Sequence, residues 1–202
     1  MSFDYPLNHP NVSIKDHSFK LIQVQARSTS PFTRASQVQS YSGQVIEYTF
    51  EYKRFSQLEA RKLIGFLVRM KGMLGTVYLG DPDGNLGSHN GSNLTIVSKA
   101  SNNEIVCSGF TPLQQDALIE GDFISFSNYE LKIIAETVNA DASGNATIKF
   151  ESSLRDQTIG IGGIVTTQNP KGIFSLSVPN IGFSSNELKE YEISLVYLEQ
   201  TI

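Results

Sequence analysis

The sequence predicts a mainly β protein with one α-helix, in which a β-rich domain is interrupted by a second, inserted β-domain. Three observations lead there. Apolar and polar residues alternate at period two in several stretches, most clearly over 44–53. There Ile46, Tyr48, Phe50 and Tyr52 share one face while Glu47, Thr49, Glu51 and Lys53 take the other. A single segment, about 57–71, carries a helical pattern. The last stretch, 191–198, alternates just as strongly and needs an earlier strand to pair with, 19–26 or 44–53.

In chain order, residues 1–17 are polar and contain proline, an arm that must be fixed by tertiary or intersubunit contacts. Residues 19–26 read as a strand with Ile22, Val24 and Ala26 on one face. After a turn-rich stretch at 28–34, residues 37–41 form a strand expected to pair, across Ser42-Gly43, with 44–53. The helix opens on Ser56-Gln57-Leu58-Glu59, a capping box, with Phe55 before it where a hydrophobic staple sits. Gly72 is placed for its C-terminal stop. At 100° per residue Ala60, Leu63, Phe66, Leu67 and Met70 fall in one arc, with Leu58, Ile64 and Val68 at its flanks. A helix with apolar flanks is either sunk in its own domain or meets a second surface.

Residues 75–80 read as a strand and Asp81-Pro82-Asp83-Gly84 as a turn. The Gly/Ser/Asn-rich stretch 85–93 is a natural linker. Within 110–155, three strands at 120–126, 130–135 and 146–150 are joined by short polar turns and specify an antiparallel meander. Two more strands, 173–178 and 191–198, follow the Asn169-Pro170-Lys171-Gly172 turn. The domains are therefore 1–85 plus 170–202, and the insertion 86–169. An exposed turn such as 81–84 is where insertions are tolerated.

A formal charge of −4 argues against phosphate-neutralising nucleic-acid binding, and the basic run Lys53–Lys71 suits a solvated helix face. Cys107 is the only cysteine, which excludes an intrachain disulfide and a thiolate metal cluster; its apolar neighbours mark it as a core residue. No run approaches membrane-spanning length. The first residues have neither the charged nor the apolar region of a signal peptide, so the chain is expected to stay in the cytoplasm that makes it unless it leaves within a larger particle.

Chemistry is sparse. His9, His17 and His89 lack ligand spacing, so no metal site is expected. No nucleophile elbow occurs, and the glycine-rich stretches 84–91 and 160–163 match no phosphate loop, so no cofactor is expected. The run from Asp81 fails the calcium-loop pattern, since Leu86 stands where glycine belongs and Ser92 where the bidentate Glu belongs. No catalytic residue is assigned; Glu120 and Asp122 are the carboxylates a hydrolase reading would have to use.

A resemblance enters through a series of motifs in order. They are Ser30-Pro31-Phe32-Thr33-Arg34-Ala35-Ser36-Gln37-Val38-Gln39-Ser40-Tyr41, the helix with Ala60, Phe66 and Leu67, and Gly75-Thr76-Val77-Tyr78-Leu79-Gly80-Asp81-Pro82. Then come Glu120-Gly121-Asp122-Phe123-Ile124, Ser143-Gly144-Asn145-Ala146-Thr147 leading to Leu154-Arg155, and Pro170-Lys171-Gly172-Ile173-Phe174. In order and spacing the chain resembles minor tail proteins of long-tailed bacteriophages, and in architecture the distal tail proteins. It departs in carrying Val45, Ile46 and Tyr48 where the family often has tryptophans.

That resemblance implies a β-sandwich-like, ring-forming domain with an inserted small β-barrel of the oligonucleotide/oligosaccharide-binding (OB-like) type. It also implies a structural role without enzymatic activity: a ring, hexameric in the family, that joins the tail tube to the tip hub in the virion. Partners would be further copies of the chain, the tube protein and the hub protein, with neither nucleic acid nor membrane insertion. Candidate subunit contacts are the strands at 19–26, 37–41 and 44–53, with Gln37, Gln39 and Tyr41, and the helix flank with Ile64 and Val68. The alternative is a carbohydrate- or receptor-binding module that uses Phe110, Phe126 and Tyr129 on the barrel.

Overall fold

The structure, a computed structural model, describes residues 4–40, 44–91, 93–185 and 190–200. It is mainly β with one α-helix and an inserted, closed six-stranded barrel. In chain order the strands are β1 (Leu7–Asn8), β2 (Asp16–Ile22), β3 (Gln25–Thr29), β4 (Ser36–Ser40) and β5 (Val45–Phe55). Helix α1 (Gln57–Met70) and a 3-10 turn (Gly72–Leu74) lead to β6 (Thr76–Leu79). Next are β7 (Leu94–Ser101), β8 (Glu104–Ser108), β9 (Phe123–Phe126), β10 (Leu131–Ile134), β11 (Asn145–Glu151) and β12 (Ile164–Thr166). The chain closes with β13 (Gly172–Leu176), β14 (Ser184–Ser185) and β15 (Tyr191–Glu199). Two compact units result, one of residues 1–77 with 174–200, the other of 78–173.

The first unit is built on a sheet of order β1-β6-β13-β15-β5-β2, with β14 added to β15. The final strand pairs with β5 over Tyr191–Leu198, so the inward residues of both strands meet: Ile193 with Tyr52, Leu195 with Phe50, Tyr197 with Tyr48. All six are buried. Helix α1 turns its expected five residues, Ala60, Leu63, Phe66, Leu67 and Met70, inward, and its capping box forms. The left-handed cap is Lys71 itself (φ 51°), with Gly72 also at positive φ behind it. Tyr5 donates its hydroxyl to the Arg69 carbonyl at 2.6 Å, satisfying a helix-end acceptor. The N-terminal arm is thus held by tertiary contacts, with Leu7 and Val12 buried.

Two sequence expectations are corrected here. The stretch 19–26 is not one strand: β2 ends at Ile22 and β3 begins at Gln25. Nor does 37–41 pair with 44–53. Instead β2 pairs with β5 from Asp16↔Glu51 to Ile22↔Val45, and β3 pairs with β4 from Gln25↔Ser40 to Thr29↔Ser36. The physical reason is apolar matching. The observed pairing sets Phe19 beside Tyr48, ring centroids 6.4 Å apart, whereas a tight turn at 42–43 would lay polar Gln37 and Gln39 there.

In the second unit every barrel pairing is antiparallel, and the strands close in the order β10-β11-β8-β7-β12-β9. The expected meander is β9–β10–β11, with its first strand opening at Phe123, since residues 120–122 form the preceding turn. Six strands close the ring, one more than the five of an OB fold. Inside lies an apolar core that includes Leu94, Ile105, Cys107, Ile124, Phe126, Ile148 and Phe150. The chain leaves the sheet at β6 and returns at β13, which are neighbours in it, so the insertion interrupts nothing.

Candidate functional site

Lys132 and Glu130 form an ion pair of 2.9 Å with both side chains enclosed. Lys132 Nζ also donates to Ser152 Oγ at 3.3 Å and to the Ser153 carbonyl at 3.0 Å. Burial alone would raise the Glu130 carboxyl; the N–H of Arg155, at 2.8 Å, and the Lys132 ammonium outweigh it and hold the group below the usual range. A serine-lysine dyad needs a neutral amine to take the serine proton. Here the amine is ion-paired with Glu130 and donates to Ser152 and Ser153, which ties the 152–156 segment to β10.

Asp122 likewise has a binding role within the fold. Its carboxylate accepts from Leu86 N (2.8 Å), Gly87 N (3.0 Å) and Ile119 N (2.9 Å). Asn85 completes the lock by bonding the Phe123 amide and the carbonyls of Phe123 and Thr167. Glu120, the other carboxylate of a hydrolase reading, stands exposed. The turn at Asp81 closes on itself, with Asp83 N donating to Asp81 Oδ1 at 3.1 Å and Gly84 N to Asp81 O at 3.3 Å. Cys107 is fully buried, which pushes its thiol up to about 12.

The barrel candidates divide. Phe110 and Phe126 are corrected: they are 5% and 2% exposed and belong to the barrel core, Phe126 packing edge-on against Phe150. Inward positions on a closed barrel are consumed by filling it. Tyr129 is 44% exposed at the β9–β10 turn, its ring 4.6 Å from that of Tyr78.

The first unit also exposes large apolar side chains. Strand β2 ends the sheet, and the described residues bring no further strand to its outer side. Phe19 and Leu21 stand opposite Tyr48 and Ile46, on the face where the core lies, yet they are 51% and 41% exposed. The core layer stops one strand short of the sheet edge.

Past the Ile22/Val45 end of the β2–β5 ladder, β3 and β4 pair as a separate two-stranded arm. Residues 25–29 and 31–39 are all exposed, with Val38 at 55% and Phe32 at 93%. Its tip is nonetheless built: Ser30 N donates to Ala35 O at 2.9 Å, Arg34 N to Ser30 O at 3.0 Å, and Arg27 to Ser36 Oγ at 3.3 Å. Gln37 and Gln39 lie exposed on β4; Tyr41 is outside the described residues. On α1, Ile64 is half-buried and Val68 is 69% exposed, as is Leu58 at 66%.

At the other end of β5 the sheet opens a groove of about 630 Å³. A register shift between Tyr191 and Glu192 loosens β15 against β5 there. Phe183 supplies apolar lining, and Glu51, Lys53 and Glu192 the charged groups. The sequence held the apolar pattern of these strands but no signal for the groove, which needs residues 182–184 brought beside β5 and β15.

The arrangement defines a mainly β protein with an exposed apolar sheet edge and a solvent-exposed two-stranded arm. Neither the protein-family models nor the curated proteins compared with the chain give a match.

Proposed function

We propose that this chain is a structural subunit that works by self-assembly: a distal tail protein of a long-tailed bacteriophage, forming a ring that joins the tail tube to the tip hub. The observation that carries the reading is the sheet edge. Phe19 and Leu21 extend the core face into solvent, and the arm beside them exposes both of its faces. A lone two-stranded ribbon is marginal in water, and an open edge strand invites pairing, so both features call for a covering partner. A repeated head-to-tail contact between identical copies covers them all and closes a ring. The motif order described above directs the reading to the phage tail, with the tube and hub proteins as the other partners.

Native mass spectrometry and negative-stain electron microscopy of the purified chain test it. The expected result is a closed oligomer, six copies by the family resemblance, with an axial hole and about 1,000 Å² or more buried per contact. A strictly monomeric chain at micromolar concentration overturns it. A second reading, carbohydrate binding on the barrel, rests on exposed Tyr129 packed at a tilt against Tyr78. Micromolar hits on a glycan array that vanish in Tyr129→Ala support it.

A further inference from the structure

We infer that the β3–β4 arm of one copy docks its tip, Phe32 and Arg34, into the groove lined by Phe183, Glu51 and Glu192 on the next copy. The inference rests on the ring reading and specifies the contact that reading leaves open.

Three observations carry it. The first is shape and polarity. Phe32 is 93% exposed on a tip whose backbone is internally hydrogen bonded, so a large apolar group is presented on a formed support. Burying one such ring recovers about 2 kcal/mol of apolar transfer, enough to reward a receiving site. The groove, about 630 Å³, offers Phe183 as apolar lining.

The second is charge. From Gln23 to Ile46 the chain contains no acidic residue and two arginines, Arg27 and Arg34, so the arm is cationic. The groove brings Glu51 and Glu192 together with Lys53, and Lys53 reaches Asp16 on β2 at 3.4 Å. Within the groove lining two carboxylates face one ammonium, a net charge of −1. Opposite signs on the two surfaces favour encounter and set the register of docking.

The third is geometry. The arm leaves the sheet at the Ile22/Val45 end of the β2–β5 ladder, and the groove lies at Glu51–Lys53 of the same strand. Seven residue steps along extended β5, Val45 to Tyr52, put about 24 Å between them. The arm and the groove therefore lie at opposite ends of the β2–β5 ladder. The donor and acceptor surfaces are different patches on one molecule, the condition for a head-to-tail contact that repeats and closes.

Disulfide trapping in the full chain tests the contact, because Cys107 is buried and the chain has no other thiol. Phe32→Cys combined with Phe183→Cys, mildly oxidised, gives a covalent ladder of oligomers on a non-reducing gel; each single variant gives none beyond dimer. A charge exchange supplies the second arm: Arg34→Glu and Glu192→Arg each weaken assembly about tenfold, and the two changes together in one chain restore it. If the wild type assembles but the double-cysteine chain yields no ladder, or links within one chain, the docking inference fails and the ring reading survives. If the wild type does not assemble at all, both fall.

Discussion

At the scale of single residues, the groups that resemble chemistry are those that hold the fold. Lys132 and Glu130 were taken out of water together and joined to Ser152, Ser153 and Arg155. Removing one partner strands the other. Lys132→Met should therefore cost about 3–5 kcal/mol in urea unfolding, and a matching Glu130→Leu should recover much of it. His9 is a second case. Its Nε2 lies 2.6 Å from the Tyr52 hydroxyl, its ring stacks on Tyr52, and burial pulls its pKa down to about 4. Between about pH 6.5 and 4 the unfolded chain binds a proton that the folded chain refuses, so stability falls as pH drops through that window. The expected loss is about 1–3 kcal/mol, reduced because the ring is only half-buried. His9→Phe should flatten that part of the stability-pH curve, measured by thermal unfolding.

Elements depend on backbone approach as much as on side chains. The Leu86–Gly87 segment passes so close to the barrel that a Cβ on Gly87 would stand 2.4 Å from the Ala117 carbonyl and 2.7 Å from Leu118 Cα. Gly87→Ala should destabilise the barrel by about 2–3 kcal/mol, seen as a lowered urea midpoint. Gly65, on the exposed side of α1 with open space around it, is the natural control: Gly65→Ala should be neutral or stabilising, by up to about 1 kcal/mol. The helix was legible because Ser56, Glu59 and its five inward residues act locally, at fixed spacing along one element. The break between β2 and β3 was not, because Gln23 and Val24 carry no turn residue. It comes from β2 following β5 while β3 follows β4.

For the whole molecule, the two units carry separate cores and should unfold separately. The 78–173 segment contains the barrel core and all six barrel strands. Expressed alone it should unfold cooperatively in urea, and the full chain should show two transitions by calorimetry. A single shared transition, with an unfolded 78–173 segment, would refute that division.

Sequence by itself determined the composition of this protein: strands with a buried and a solvated face, one capped helix, and an insertion marked by turns on either side. Those features follow from period and local propensity, which operate between near neighbours in the chain. Tertiary structure decided which apolar residues are spent. Phe110 and Phe126 fill the barrel, whereas Phe19, Leu21 and Phe32, no different in type, face solvent. Whether an apolar side chain finds cover depends on how many strands and helices reach its face, and that count exists only once the chain has closed on itself.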